Sequence, residues 1–365
     1  MAKAKFKKPV CLATLDTKDS PFIVKSFNQT LQEASKMKIP KMLFSELIFE
    51  TDLTIFFASS GVGKTMLAVQ IAQSIASGKP LDGFVNESSR QPVLYLDFEL
   101  SDKQFERRYC EIDANGDWYN HYGFDENIKR VTFNKTYEKS LSVEKIIDSI
   151  ILHTGLHSSK IIFIDNITWI AQTGLEQSKD ASLLMKELVR LKRENNLTII
   201  VLAHTPKKLK WSAMTLNDLA GSSQLGNFCD SVFAINYSKH QSDYRYIKQV
   251  KCRFTELKYH SANVIPVQLT NIHSNYVGFQ VLPEDEENIT EQYHLESKIE
   301  TKIISADIRE ELLEKTKELV DDNANISSRE LANELGVGKD TALKYKSQVS
   351  GIDRQTTLNI KDESI

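Results

Sequence analysis

A short run rich in β-branched and aromatic residues, LTIFFA (53–58), leads directly into SSGVGKT (59–65) and then into the amphipathic stretch MLAVQIAQSIASG (66–78). A buried strand that turns through a glycine loop into a helix brings backbone N–H groups and the positive end of the helix dipole to one point. That point attracts phosphate. Ser59, Ser60, Gly61, Val62, Gly63, Lys64, Thr65 and Met66 are therefore the expected cradle for a nucleoside triphosphate, ATP, with Mg²⁺. The two glycines allow close approach, Lys64 reaches the β and γ phosphates, and the Thr65 hydroxyl ligates the metal. The pattern GxxxxGK[ST] is broken only at its first position, where Ala58 stands for glycine, so the chain must begin the loop there without a positive φ.

From about Met42 to Val281, strand-like runs alternate with helical ones, which predicts an α/β fold with a mostly parallel sheet flanked by helices. VLYLD (93–97), IIFID (161–165) and TIIVLA (198–203) are apolar enough to be buried on both faces, and SVFAIN (231–236), YRYIKQVKC (244–252) and NVIPVQL (263–269) come after them. In KDASLLMKELVRLKREN (179–195), Leu184, Leu188 and Leu191 share one helical face. At 283–288 the composition shifts to a proline followed by four acids. The expected division is a basic tail and lead-in segment over 1–40, an ATPase domain over 41–282, an acidic linker over 283–305, a small all-α domain over 306–350 and a tail over 351–365.

Lys plus Arg number 46 against 49 for Asp plus Glu, so DNA contact has to come from local patches rather than net charge. The four cysteines form no CxxC pair, which argues against a zinc site or a disulfide framework. Apolar runs such as LTIIVLA (197–203) fall well short of the ~20 residues of a membrane span. The lysines at 3, 5, 7 and 8 resemble a leader, but Asp16 interrupts the apolar stretch behind them, so the expectation is a cytoplasmic protein without a membrane partner.

Asp165, ending IIFID, is placed to complete the Mg²⁺ site. The next residue is Asn166, so the base that orients water must come from elsewhere. Glu99, just beyond VLYLD, is the best candidate, with Asp97 as its rival; the alternative is that one of them caps a helix at Ser101–Arg108. His204 closes the fourth strand where a γ-phosphate sensor would sit. The loop behind it carries Lys207, Lys208, Lys210 and Trp211, cations and a stacking platform suited to single-stranded DNA, or else a solvated lysine run.

ASSGVGKT (58–65), YLDFE (95–99), IIFID (161–165) and VLAHT (201–205), in this order, resemble the RecA-like ATPase superfamily, and within it the RepA-like hexameric helicases of plasmids and mobile elements. The resemblance covers roughly 40–282. It implies a homo-oligomer, a hexameric ring with ATP between subunits, in which Arg253 is the arginine finger and Lys251 its companion, at alternate positions of one strand. It also places Ser222, Ser223 and Gln224 near the ring channel. The C-terminal module departs from the family core and resembles a helix-turn-helix, with Leu331, Ala332, Leu335, Val337, Leu343 and Tyr345 inward and Gly336 in the turn. Lys339, Thr341, Lys344 and Lys346 would then face duplex DNA, although four bases against three acids over 327–348 leave the module nearly neutral.

Three functions fit: a DNA-dependent ring motor on single-stranded DNA serving replication or mobilisation of a mobile element, a non-translocating ATP-switched regulator on duplex DNA, and a small-molecule P-loop kinase. The absence of a recognisable arginine-bearing lid places the kinase last.

Overall fold

The computed structural model describes residues 22–134, 142–167, 177–205, 211–219, 223–283, 288–295, 306–323, 326–335, 337 and 339–349. The chain begins there with a helix α1 (Phe27–Ala34) and a small antiparallel pair, β1 (Met42–Phe44) and β2 (Ile48–Phe49). The P-loop unit comes next as β3 (Leu53–Ala58) and α2 (Lys64–Ser77). It is succeeded by β4 (Val93–Asp97), α3 (Asp102–Arg108), the short pair β5 (Glu111–Ile112) and β6 (Trp118–Tyr119), and β7 (Ile128–Val131). Then run α4 (Val143–Leu156), β8 (Ile161–Asp165), α5 (Gln177–Asn195), β9 (Thr198–His204), α6 (Ser223–Phe228) and β10 (Ser231–Tyr237). β11 (Tyr244–Cys252), β12 (Ile265–His273), β13 (Tyr276–Val281) and α7 (Glu291–Leu295) close the sheet-bearing part, and α8 (Ala306–Asp322), α9 (Ser328–Leu335) and α10 (Lys339–Val349) come last.

Nine strands form one sheet in the order β13-β12-β11-β10-β3-β9-β8-β4-β7. β10 through β7 are parallel neighbours and β11 to β13 add an antiparallel meander. This is the mostly parallel α/β sheet that the alternating pattern predicts. Its central strands are buried on both faces. Along β3, Phe56 and Ala58 pack towards α2, while Leu53, Ile55 and Phe57 pack towards α5. The leucines at 184, 188 and 191 of α5 are buried in that second layer, as their spacing predicts.

The meander curls back over the P-loop helix. Gln70 of α2 donates from Nε2 to the Phe279 carbonyl and accepts from the Phe279 N–H, both at 2.8 Å, acting as a surrogate strand neighbour for β13. Within the nine-stranded sheet β13 and β7 escape the sequence reading, as do the short β1, β2, β5 and β6 outside it, and β12 begins and ends later than NVIPVQL.

The expected acidic linker is not free throughout. Residues 288–295 pack against the sheet, with Glu291 buried and bonded to Lys248 Nζ at 2.5 Å, Ser261 Oγ at 2.9 Å and the Met214 N–H at 3.0 Å. His294 is buried beside it, held by Ser238 Oγ at 2.9 Å and the Asn288 carbonyl at 2.8 Å. Burial lowers its pKa to about 4, so it is neutral near pH 7.

The helices α8, α9 and α10 gather around their own core of Ile326, Leu331, Ala332, Leu335, Ala342 and Tyr345. Ala342 occupies the inward place expected of Leu343, which is exposed. Among the described residues no helix is long and apolar enough to cross a membrane.

Candidate nucleotide-binding site

Strand β3 ends on Ala58, whose carbonyl accepts from the Thr205 N–H beyond β9. Ala58 lies within the strand and has no positive φ, so the missing first glycine costs the loop nothing. The left-handed conformations come later, at Gly61 (φ +77°) and Gly63 (φ +111°). A Cβ on Gly63 would also come within 2.6 Å of the Phe279 ring, so both backbone and space require glycine there. Gly63 is the N-cap of α2 and offers no side-chain cap, which leaves the first-turn N–H groups open for an anion.

Lys64 and Thr65, the first residues of α2, are buried. Lys64 Nζ stands 3.4 Å from Asp165 Oδ1, and Asp165 Oδ2 accepts from the Tyr95 hydroxyl at 2.9 Å. Burial pushes the Asp165 carboxyl above the usual range, opposed by Lys64 and by a hydrogen bond from Thr65. A buried cation at such a long distance from its acid, beside an uncapped helix end, fits an anionic ligand with a divalent cation. Gly61, Gly63 and Lys64 would hold the phosphates, and Thr65 and Asp165 the metal. Ser59 bonds Thr205 through their hydroxyls at 2.9 Å and ties the loop to the end of β9. The Met66 side chain packs with Leu100, Arg107 and Tyr276 around a cavity of about 430 Å³.

At the carboxyl edge of the sheet, Asn166 Nδ2 donates to Glu99 Oε2 at 3.0 Å and faces His204 Nε2 at 3.0 Å. Glu99 Oε2 lies 3.7 Å from that imidazole nitrogen. The His204 ring, Lys64 and the Asn166 amide hold the Glu99 carboxyl down at about 2, so it is ionised at any physiological pH. It is suited to orienting a water rather than to storing a proton. The three residues come from β4, β8 and β9, adjacent strands ending side by side.

Asp97, the rival candidate, has its carboxylate engaged within the fold. It is buried, accepts from the N–H groups of Glu99 and Leu100 at 3.1 and 2.9 Å, and pairs with Arg130 Nε at 2.9 Å. Neither acid caps α3; Ser101 does, in a reciprocal box with Gln104.

Lys251 and Arg253 sit towards the start of β3, away from the loop at its end. Lys251 is in register with Val232, which pairs with Ile55 near the start of β3, whereas the loop lies beyond the end of β3. Arg253 lies just past β11 rather than within it. Lys251 Nζ donates to the Gly226 carbonyl at 2.7 Å and Arg253 to the Asn227 carbonyl at 2.8 Å, so both reach α6 as their alternate spacing suggests.

Trp211 is exposed, with Lys239 Nζ 5.9 Å from its ring centre. Lys207, Lys208, Lys210 and Ser222, and the side chains of Ser223, Gln224 and Lys339, lie outside the described residues. Of the C-terminal candidates, Lys344 is exposed and Thr341 half-buried, but Lys346 donates to the Ile326 carbonyl and is engaged within the module.

Sequence reasoning misses Arg245. Its buried guanidinium donates to the Val62 carbonyl inside the loop and lies over the Tyr237 ring, with 4.3 Å from its carbon to the ring centre. Nothing sets it apart in sequence from Lys248 and Lys251 of the same strand.

A family model described as AAA domain matches residues 24–209. Among solved structures, a KaiC-like protein from the hyperthermophilic archaeon Pyrococcus horikoshii OT3 is 20% identical, with 65% of this chain and 91% of that one covered and a TM-score of 0.45. No curated protein matches the chain.

Proposed function

Because the chain belongs to the AAA domain family, we propose that it is an ATP-hydrolysing ring motor acting on single-stranded DNA, in replication or mobilisation of a plasmid or mobile element. The observation that supports this reading best is the contact chain from Glu99 through Asn166 to His204. His204 ends the strand that runs into the lysine loop at 205–211. DNA held by Lys207, Lys208, Lys210 and Trp211 would therefore act on the element that aims Glu99, which couples DNA to hydrolysis.

In this proposal Glu99 orients the attacking water, Lys64 draws charge from the γ-phosphate, and His204 reports whether that phosphate is present. Mg²⁺, held by Thr65 and Asp165, supplies neutralisation of phosphate charge. Lys251 and Arg253 bond to carbonyls of α6 and not to the loop of their own chain. They serve the neighbouring subunit, as a homo-oligomeric, hexameric ring requires. The C-terminal helices contact duplex DNA through Lys344, Thr341 and Lys339 and position the motor. The arrangement belongs in the cytoplasm.

The test is steady-state ATP hydrolysis without DNA, with single-stranded DNA and with duplex, on the full chain and on a truncation ending after Leu295. That endpoint keeps α7, whose removal would strip buried Glu291 from Lys248. Single-strand stimulation that survives truncation is the expected result. Stimulation by duplex alone, lost on truncation, would overturn the motor and assign the ATP-switched regulator instead.

A further inference from the structure

The segment that leaves β9 is fastened at two feet. The first is Thr205, whose N–H donates to the Ala58 carbonyl and whose hydroxyl bonds that of Ser59. The second is the leg Ser212 to Met214, just behind Trp211. Residues 212–214 belong to no helix or strand, so side chains from elsewhere must hold their peptides. Asn236 Nδ2 donates to the Ser212 carbonyl at 3.0 Å. At Met214 both backbone groups are taken: its N–H donates to Glu291 Oε1 and its carbonyl accepts from Lys248 Nζ, each at 3.0 Å.

Tyr246 and Lys248 alternate along β11 and so share one face, and Asn236 of β10 stands in register with Tyr246. The Tyr246 hydroxyl accepts from Asn236 Nδ2 at 3.1 Å and donates to Glu291 Oε1 at 3.2 Å, which closes a network of four buried side chains around the leg. Burying the Lys248 and Glu291 charges is costly, and an apolar pair of the same volume would serve stability as well or better. What the charged pair adds is direction, a donor and an acceptor at fixed places for one peptide. The Met214 side chain is itself buried in the layer beneath α5, but a thioether is adaptable and sets depth rather than orientation.

The helix that supplies Glu291 also grips the turn between β10 and β11. The His294 carbonyl accepts from the Lys239 N–H at 2.9 Å, and the Tyr293 carbonyl accepts from His240 Nε2 at 2.7 Å, with the two rings stacked 3.8 Å apart. Lys239 Nζ thereby comes 5.9 Å from the centre of the exposed Trp211 ring. An aromatic face takes a base and an ammonium takes the phosphate beside it. We propose that Trp211 and Lys239 form a base-and-phosphate contact for a single strand, and that Glu291 and Lys248 are its positioning residues. They hold the second foot, so that a load on Trp211 is passed back to Thr205 and the phosphate loop. With that foot loosened, a strand binds without speeding hydrolysis. The inference rests on the motor reading for the strand that is bound, whereas the anchoring of Trp211 stands without it.

The test uses the full chain with Lys248→Met and Glu291→Met together, which removes both charges and leaves neither alone. A second pair, Lys248→Met with Glu291→Gln, keeps an acceptor for the Met214 N–H and carries the test if the first does not fold, as thermal melts decide. The methionine pair is expected to keep basal ATP turnover within about twofold and to lose about tenfold of the stimulation by an oligo(dT) strand, the size of an ordinary coupling between sites, with the glutamine pair in between. Basal and stimulated turnover falling together would make the pair merely structural and overturn the proposal. Lys239→Gln is expected to reduce the slope of log affinity for oligo(dT) against log salt by about 0.7, one single-strand phosphate contact, and an unchanged slope would remove Lys239 from the contact. Emission anisotropy of Trp211, in a background of Trp118→Phe with Trp169→Phe, needs no nucleic acid. It is expected to fall in the methionine pair, and an unchanged value would overturn the anchor. A wild type that oligo(dT) does not stimulate, but whose Trp211 anisotropy still depends on the pair, would sink the motor reading and leave the anchor standing.

Discussion

Arg245 donates its Nε–H to the carbonyl oxygen of Val62 at 3.1 Å, tying the antiparallel meander to the middle of the phosphate loop. Its remaining hydrogen bonds go to the carbonyls of Ser242 and Tyr244, both at 2.7 Å. Burial lowers its pKa from the usual value, but a guanidinium remains charged. Together with Phe279 against Gly63, it fixes the loop from outside the parallel core.

Arg245→Gln should weaken nucleotide binding about tenfold, the loss expected from a charge-assisted hydrogen bond of ~1.5 kcal/mol. A fluorescent-nucleotide titration measures this. Unchanged affinity would mean that the glycines and Phe279 hold the loop without the arginine.

Glu99 and Asp97 should separate cleanly. Glu99→Gln should keep nucleotide affinity and lose hydrolysis by a factor of 10² or more, as for a positioned catalytic carboxylate of roughly 10²–10⁴. Asp97→Asn should mainly destabilise, on the order of 2–4 kcal/mol, because Arg130 and two backbone N–H groups lose a buried carboxylate. Denaturant melts alongside single-turnover hydrolysis distinguish them; the reverse pattern would make Asp97 the base.

Lys64→Ala should abolish turnover, and Arg253→Ala should be inactive alone. Mixing the two should restore a fraction of activity, because the intact loop of the arginine variant can face the intact arginine of the lysine variant. Steady-state hydrolysis against mixing ratio is the measurement, and a flat, inactive profile would remove the trans assignment.

Asp52 carries a pH-dependent stability. Burial first, and then the neighbouring Asp230, raise its pKa from 3.8 to about 7. The folded state therefore holds a proton that the unfolded state releases, and the stability this provides is lost as pH rises from about 4 to about 7. Asp52→Asn should raise the melting temperature more at pH 8 than at pH 5. Equal shifts at both values would mean that the carboxyl is not perturbed.

The parallel core was legible because its strands are buried on both faces and need no knowledge of their neighbours. The positions of Ala58, Gly61, Gly63, Lys64 and Asp165 in the fold could be read for the same reason, since they depend on local loop chemistry and strand ends. The features that stayed hidden depend on partners distant in sequence. Glu291 lies in an acidic stretch that reads as linker, and its burial depends on Lys248, 43 residues earlier, with Ser261 and the Met214 N–H. Arg245 reads as one more strand charge until the curl of the meander brings it to Val62. α1 has too few residues for a periodic signal and no burial to reinforce it.

The docking of α7 sets the reach of the three terminal helices. Only ten residues, 296–305, separate Leu295 from the start of α8. Whatever path they take, a chain of that length extends at most ~34 Å. The start of α8 therefore lies within that distance of a fixed anchor. Each residue inserted there would widen that limit by about 3.4 Å without altering a single contact among the described residues.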